Sequence, residues 1–206
     1  MALASELMDL DAIFKHLFNL LRSKTFLDVK EGYGDVPFFI CPFDPSYAQE
    51  VPQRLNSLMA GLKEHGVECL HIDLYKLCLE ILKKDDTFDL IAEQEKELRK
   101  TDLSDIFAEA LSADHVLKPA IVEKLHEADS YNVIMLSGVG EVYPYVRVHS
   151  LLASLEVEII DHPLVVLFPG KYIVSPSLGS SLELFGLLKN DRYYRATNIL
   201  DLGSEN

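Results

Sequence analysis

The sequence predicts an α/β protein with a mainly parallel central sheet covered by helices, a Rossmann-like three-layer arrangement. Two observations predict it. Short apolar runs bounded by turn residues (Val36 to Cys41, Val67 to Ile72, Val133 to Leu136, Leu164 to Phe168) alternate with longer stretches of helical periodicity, the signature of parallel strands with helices on both faces. The segment from the second run to the third, residues 74–130, reads as helical throughout. An ordinary crossover needs one helix, so the surplus is expected to be a helical insertion within a single domain spanning residues 1–206.

In order along the chain, residues 7–22 place Leu7, Leu10, Ile13, Phe14, Leu17 and Leu21 on one side, as a helix docked on a larger body does. Val36 to Cys41 is the first strand, expected to stop at Pro42. Pro52 opens the next helix, Leu55, Leu58, Met59 and Leu62 form its buried stripe, and Gly66 ends it. After the second strand, Asp73 is placed to cap a helix over Leu74 to Lys84. Further helices are predicted over Phe88 to Lys100, over Asp102 to Leu111 with its cap at Thr101, and from Pro119 to Ala128. The third strand leads through a glycine turn to a helix at Pro144 to Leu155. The fourth ends in Pro-Gly-Lys-Tyr, Ser181 to Leu188 reads as a short helix, and Tyr193 to Ile199 as an edge strand.

Composition narrows the function. With 206 residues, 49% hydrophobic and 25% charged, the chain has the make-up of a folded globular protein, its ends at Met1 to Ala4 and Leu202 to Asn206 excepted. A net charge of −14 opposes direct nucleic-acid binding. The basic pairs Lys83–Lys84 and Arg99–Lys100 read as solvated helix ends. Cys41, Cys69 and Cys78 show neither C-x-x-C nor zinc spacing and read as reduced core residues, as in a cytoplasmic protein. No signal peptide and no membrane span is expected.

The turn after the third strand has the context of a dinucleotide fingerprint, but Tyr143 stands at its third glycine position and Glu141 stands where a phosphate would sit. Glu141 is expected to satisfy the helix N-terminus itself. Gly170-Lys171 lacks the flanking residues of a phosphate loop. Asp44 lies in a Pro-Phe-Asp-Pro turn that can use its carboxylate locally. Ser137 is not in G-x-S-x-G, and His71 and His149 have no partner at ligand spacing. No catalytic residue, cofactor or metal is therefore expected, and the chain reads as a non-enzyme. A degenerate nucleotide-binding domain or regulatory enzyme subunit is the alternative.

Two aromatic–basic groups remain: Tyr143, Tyr145 and Arg147, then Arg192, Tyr193, Tyr194 and Arg195. Tyrosine and arginine dominate protein–protein hot spots, so Tyr143, Tyr145, Arg147, Arg192, Tyr193 and Arg195 are the candidate interface. These segments carry a resemblance. GVGEVYPYVRVHSLL (138–152), VVLFPGKY (165–172), LFGLLKNDRYYRA (184–196), ICPFDPSYAQEVPQRLNSL (40–58) and HIDLYKLCLEIL (71–82) are similar to the BrxB family of BREX bacteriophage-exclusion systems. The resemblance brings no catalytic motif to carry over. It implies a small cytoplasmic adaptor in an antiphage assembly, binding the phosphatase-like PglZ foremost, with the ATPase BrxC and the methyltransferase PglX as further neighbours.

Overall fold

The computed structural model describes residues 9–28, 37–84, 87–94, 98–159, 161–175, 179–185, 188–189 and 195–203. Five strands form a parallel sheet in the order β2-β3-β4-β1-β7: β1 (Phe38–Phe43), β2 (Cys69–Asp73), β3 (Val133–Ser137), the first half of β4 (Leu164–Ser175) and β7 (Thr197–Asn198).

Side-chain alternation divides this sheet between two cores. Phe38, Ile40, Ile134, Leu136, Val166 and Phe168 point to one, and Phe39, Cys41, Val133, Met135, Val165 and Leu167 to the other. Both sets are buried, so these strands read as unbroken apolar runs. The second core is closed by α1 (Leu10–Leu21), α2 (Lys24–Leu27) and α3 (Val51–Glu64). Leu55, Leu58 and Leu62 form the buried stripe of α3, Pro52 lies in its first turn, and Gly66 follows its end at φ +79°. The first core is closed by α4 (Leu74–Lys84), α7 (Lys118–Glu127) and α8 (Val148–Leu155). Between α4 and α7 the chain adds α5 (Thr87–Gln94), α6 (Lys100–Ala110) and a π-helical turn, Ala113–Leu117. Cys41 and Cys78 are buried and Cys69 half-buried, all three free. Burial pushes the thiols of Cys41 and Cys78 up to about 12, and burial with the Glu68 carboxylate pushes Cys69 to about 11.

Several expectations are corrected. β1 runs through Pro42 to Phe43. Its outer neighbour β7 pairs only at Phe39 and Ile40, so β1 is already a sheet edge at Pro42, where proline is tolerated. The helix predicted over Phe88 to Lys100 ends at Gln94, and Leu98 and Arg99 are not helical. The next begins at Lys100, with Thr101 inside it rather than capping it. Its first turn is held instead by Arg99, which donates to both Asp102 carboxylate oxygens at 2.8 and 2.9 Å. The segment predicted as a helix at Ser181 to Leu188 forms β5 (Gly179–Leu184) and β6 (Leu188–Lys189), an antiparallel extension on the second half of β4. Leu182 and Leu184 are buried while Ser181 and Glu183 are not, a period of two that a strand satisfies and a helix does not. Gly170 makes the pairing close, because a Cβ there would collide with the Glu183 carbonyl. β4 thus continues through Pro-Gly-Lys-Tyr instead of ending there.

Candidate functional site

The loops after β1 and β3 leave the sheet toward opposite faces, the first to α3 and the second to α8. A crevice opens between such loops at the carboxyl edge of a parallel sheet. Here it is a cavity of about 400 Å³. Phe43, Leu167 and Val51 supply apolar wall, and amides come from Gln49, in the turn ahead of α3, and Asn56, within it. His71, Asp73 and Ser137 come from the ends of β2 and β3, and Gly138 to Glu141 from the turn that follows.

Parallel register builds the polar wall. Asp73 lies opposite Ser137 and His71 opposite Met135, so side chains at 71, 73 and 137 share one face of the sheet. His71 Nε2 and Ser137 Oγ are 2.8 Å apart. The sequence offered no partner for either residue, because their pairing is made across strands separated by the four helices α4 to α7. The available signal was position: both are polar residues at the carboxyl ends of apolar runs. Burial lowers the pKa of His71, the nearby Asp73 carboxylate opposes this, and Lys76 adds to it, so the imidazole is neutral at neutral pH. Asp73 caps α4 as expected, accepting from the Lys76 backbone N–H at 3.1 Å and pairing with the Lys76 ammonium at 3.0 Å.

The glycine turn serves packing. Gly138 has φ +77°, and a Cβ there would sit 2.8 Å from the Tyr75 amide nitrogen and 2.9 Å from Asp73 Oδ1. A Cβ on Gly140 would sit 2.7 Å from the Pro169 ring. The helix expected at Pro144 starts at Val148; residues 141–146 form successive turns that bury Val142 and Val146. These β-branched residues fit such pegs better than a helix interior. Glu141 consequently lies well ahead of the helix N-terminus it was expected to satisfy, exposed on the cavity lining, with no ion pair or hydrogen bond among the described residues. The cavity is therefore not filled by its own acidic side chain. Asp44 behaves as predicted, accepting from the Ser46 N–H at 2.9 Å, which holds its carboxyl below the usual range. Lys171 lies in β4 opposite Glu183.

The candidate interface residues divide. Tyr143 is half-buried against the first core, while Tyr145 and Arg147 are exposed just ahead of α8. Arg195 pairs with Glu156 at the other end of α8, 3.5 Å away. Eight helical residues span about 12 Å, so the two groups do not form one patch. Arg192, Tyr193 and Tyr194 lie outside the described residues. Tyr145 instead joins a second feature that the sequence left unrecognised. Its ring lies 4.8 Å from that of Phe107 on α6. With Phe88, Ile91, Ala92 and Leu103 the two line an apolar groove of about 270 Å³ between α5 and α6. No helix among the described residues is long and apolar enough to cross a membrane, and no cluster of metal-ligating side chains is present among them.

Fold and site together define a three-layer α/β protein with a cavity at the carboxyl edge of its sheet and an apolar groove on an outlying helical pair. The family model for BREX protein BrxB matches residues 70–199. A BREX protein BrxB of Bacillus cereus (strain H3081.97) is 30% identical, over 92% of this chain and 98% of its own length. Another, of Escherichia coli O9:H4 (strain HS), is 21% identical over 93% of this chain and 94% of its own. No solved structure gives a significant match. The chain belongs to the BrxB family and so to the BREX antiphage system.

Proposed function

We propose that this chain is a binding component of the BREX assembly in the cytoplasm, docking PglZ first, with BrxC and PglX as further partners and no direct contact with nucleic acid or membrane. The observation that carries the reading is the groove beside Tyr145. Tyr145 is 36% exposed and Phe88 40%, both large for residues of that type facing solvent. Helix α6 buries none of its residues, although Leu103, Ile106 and Phe107 give it an apolar face. Such a stripe is completed by another surface.

Charge specifies that surface further. The same two helices expose Asp89, Glu93, Asp105 and Glu109. The fitting partner element is an apolar segment with basic residues at its margins. Co-purification of this chain with PglZ from cells expressing the operon tests the reading. Tyr145→Ala or Phe88→Ala should lower the retained PglZ by about tenfold or more while the fold is kept. Arg195→Ala, on the far side of α8, should leave it unchanged. Normal retention by both aromatic variants removes the groove as the docking surface. Absence of PglZ from the native sample removes the partner.

A further inference from the structure

We propose that Ser137 is a nucleophile, with His71 as its general base, that takes an acyl group from a small uncharged carboxylic ester held in the cavity at the carboxyl edge of the sheet. This goes beyond the assembly role, which stands whether or not Ser137 reacts.

Four observations converge on it. The hydroxyl and the imidazole are within hydrogen-bonding distance, 2.8 Å, which is the contact a base needs to take the serine proton. Both residues line a cavity of about 400 Å³, room for a small ester, beside the apolar side chains of Phe43 and Leu167. The backbone N–H groups of Gly138 and Val139, next in the chain and also on the lining, donate to no acceptor among the described residues. Amides that follow a nucleophile and remain undonated are the donors that receive a developing oxyanion. Finally, the charges select the substrate. Lys76 is held by Asp73, which leaves the exposed Glu141 carboxylate as the free charge on the lining, so anionic substrates are repelled.

In the acylation step Ser137 Oγ bonds to the ester carbonyl carbon as its proton passes to His71 Nε2. The carbonyl electron pair moves onto oxygen beside the two amides. Collapse breaks the bond to the alkoxy group, which leaves as the alcohol with the proton from His71. Water then attacks the acyl carbon as its proton passes to the same imidazole, which returns it to Ser137 Oγ as the acyl–oxygen bond breaks, so that ester and water become acid and alcohol.

A fluorophosphonate probe and p-nitrophenyl acetate test this on the full chain. The expected result is one covalent adduct at Ser137 by peptide mass spectrometry, absent in Ser137→Ala and formed at least about 100-fold more slowly in His71→Gln. The native labelling rate should also fall on acidification with a midpoint below 6.5, the ordinary histidine value, because burial favours the neutral ring. The charged groups beside the ring are Asp73, which opposes that shift, and Lys76, which adds to it. No adduct at Ser137, or an adduct indifferent to His71→Gln, overturns the proposal. Should His71→Gln fail to fold, a native rate that is flat between about pH 5 and 8 overturns it instead. Capture of PglZ by Ser137→Ala reads the assembly role separately.

Discussion

The sheet and the α5–α6 pair both carry large apolar side chains, and these end in opposite states. Val165, Val166, Met135 and Ile40 are wholly buried, each strand packed on both faces. Helix α6, with leucine, isoleucine and phenylalanine on one face, buries no residue at all. What separates them is the number of covering layers. A strand in this sheet has helices above and below, whereas α6 is covered on one side only: Phe107 and Ala110 pack against the first core, and Leu103 and Phe107 line the open groove. Hydrophobicity that folding leaves half-covered stabilises the monomer little and is available to a partner.

The sharpest way to break this contrast is one truncation made in both regions. Phe39 is 1% exposed and its ring lies 4.8 Å from that of Phe26. Phe39→Ala should cost about 3–5 kcal/mol in denaturant unfolding. Phe107→Ala, half-buried between the first core and the groove, should cost about 1–2 kcal/mol, and its larger effect should appear in partner capture. Equal losses would mean that α6 belongs to the core after all. Amide exchange offers a second reading of the same contrast, with α6 opening well before β3 and β4. A smaller effect is expected at the sheet's antiparallel extension. Gly170→Ala forces a Cβ into the Glu183 carbonyl and should cost about 1–3 kcal/mol, because backbone on both strands must yield. A neutral result there would detach β5 from β4.

The parts of the fold that were legible in the sequence are those with doubled burial. The runs at β1, β2, β3 and the first half of β4, and the stripes of α1 and α3, depend on apolar periodicity that no neighbour overrides. The misread parts depend on one contact each. Ser181 to Leu188 has few residues and short-range alternation that β4 turns into a strand. Residues 144–147 read as part of the helix in sequence, but Val142 and Val146 reaching into the core hold this stretch as turns. The site divided in the same way. Its place at the strand ends was legible, and the caps at Asp44 and Asp73 are local enough to predict. The His71–Ser137 pair and the Tyr145–Phe107 pair join residues far apart in the chain, and only the completed sheet register and helix layer bring them together.

The smallest expected effect sharpens the boundary between the two regions, at the cap that starts the helical stretch. Asp73→Ala removes an acceptor from the Lys76 N–H and should cost about 1 kcal/mol. Its pH dependence carries a definite sign. Burial pushes the Asp73 carboxyl up, but its hydrogen bonds and ion pair with Lys76 outweigh this and leave the folded value below the ordinary 3.8. The charged form is therefore the one that folding favours. Its contribution is fully present above the unfolded value and fades as pH falls through the lowered folded value. In the native protein an acid titration of stability should include this loss, and in Asp73→Ala the corresponding part should vanish. An unchanged acid limb in the variant would mean that α4 starts without help from its own carboxylate, leaving Gly138 against the Tyr75 amide to hold the corner.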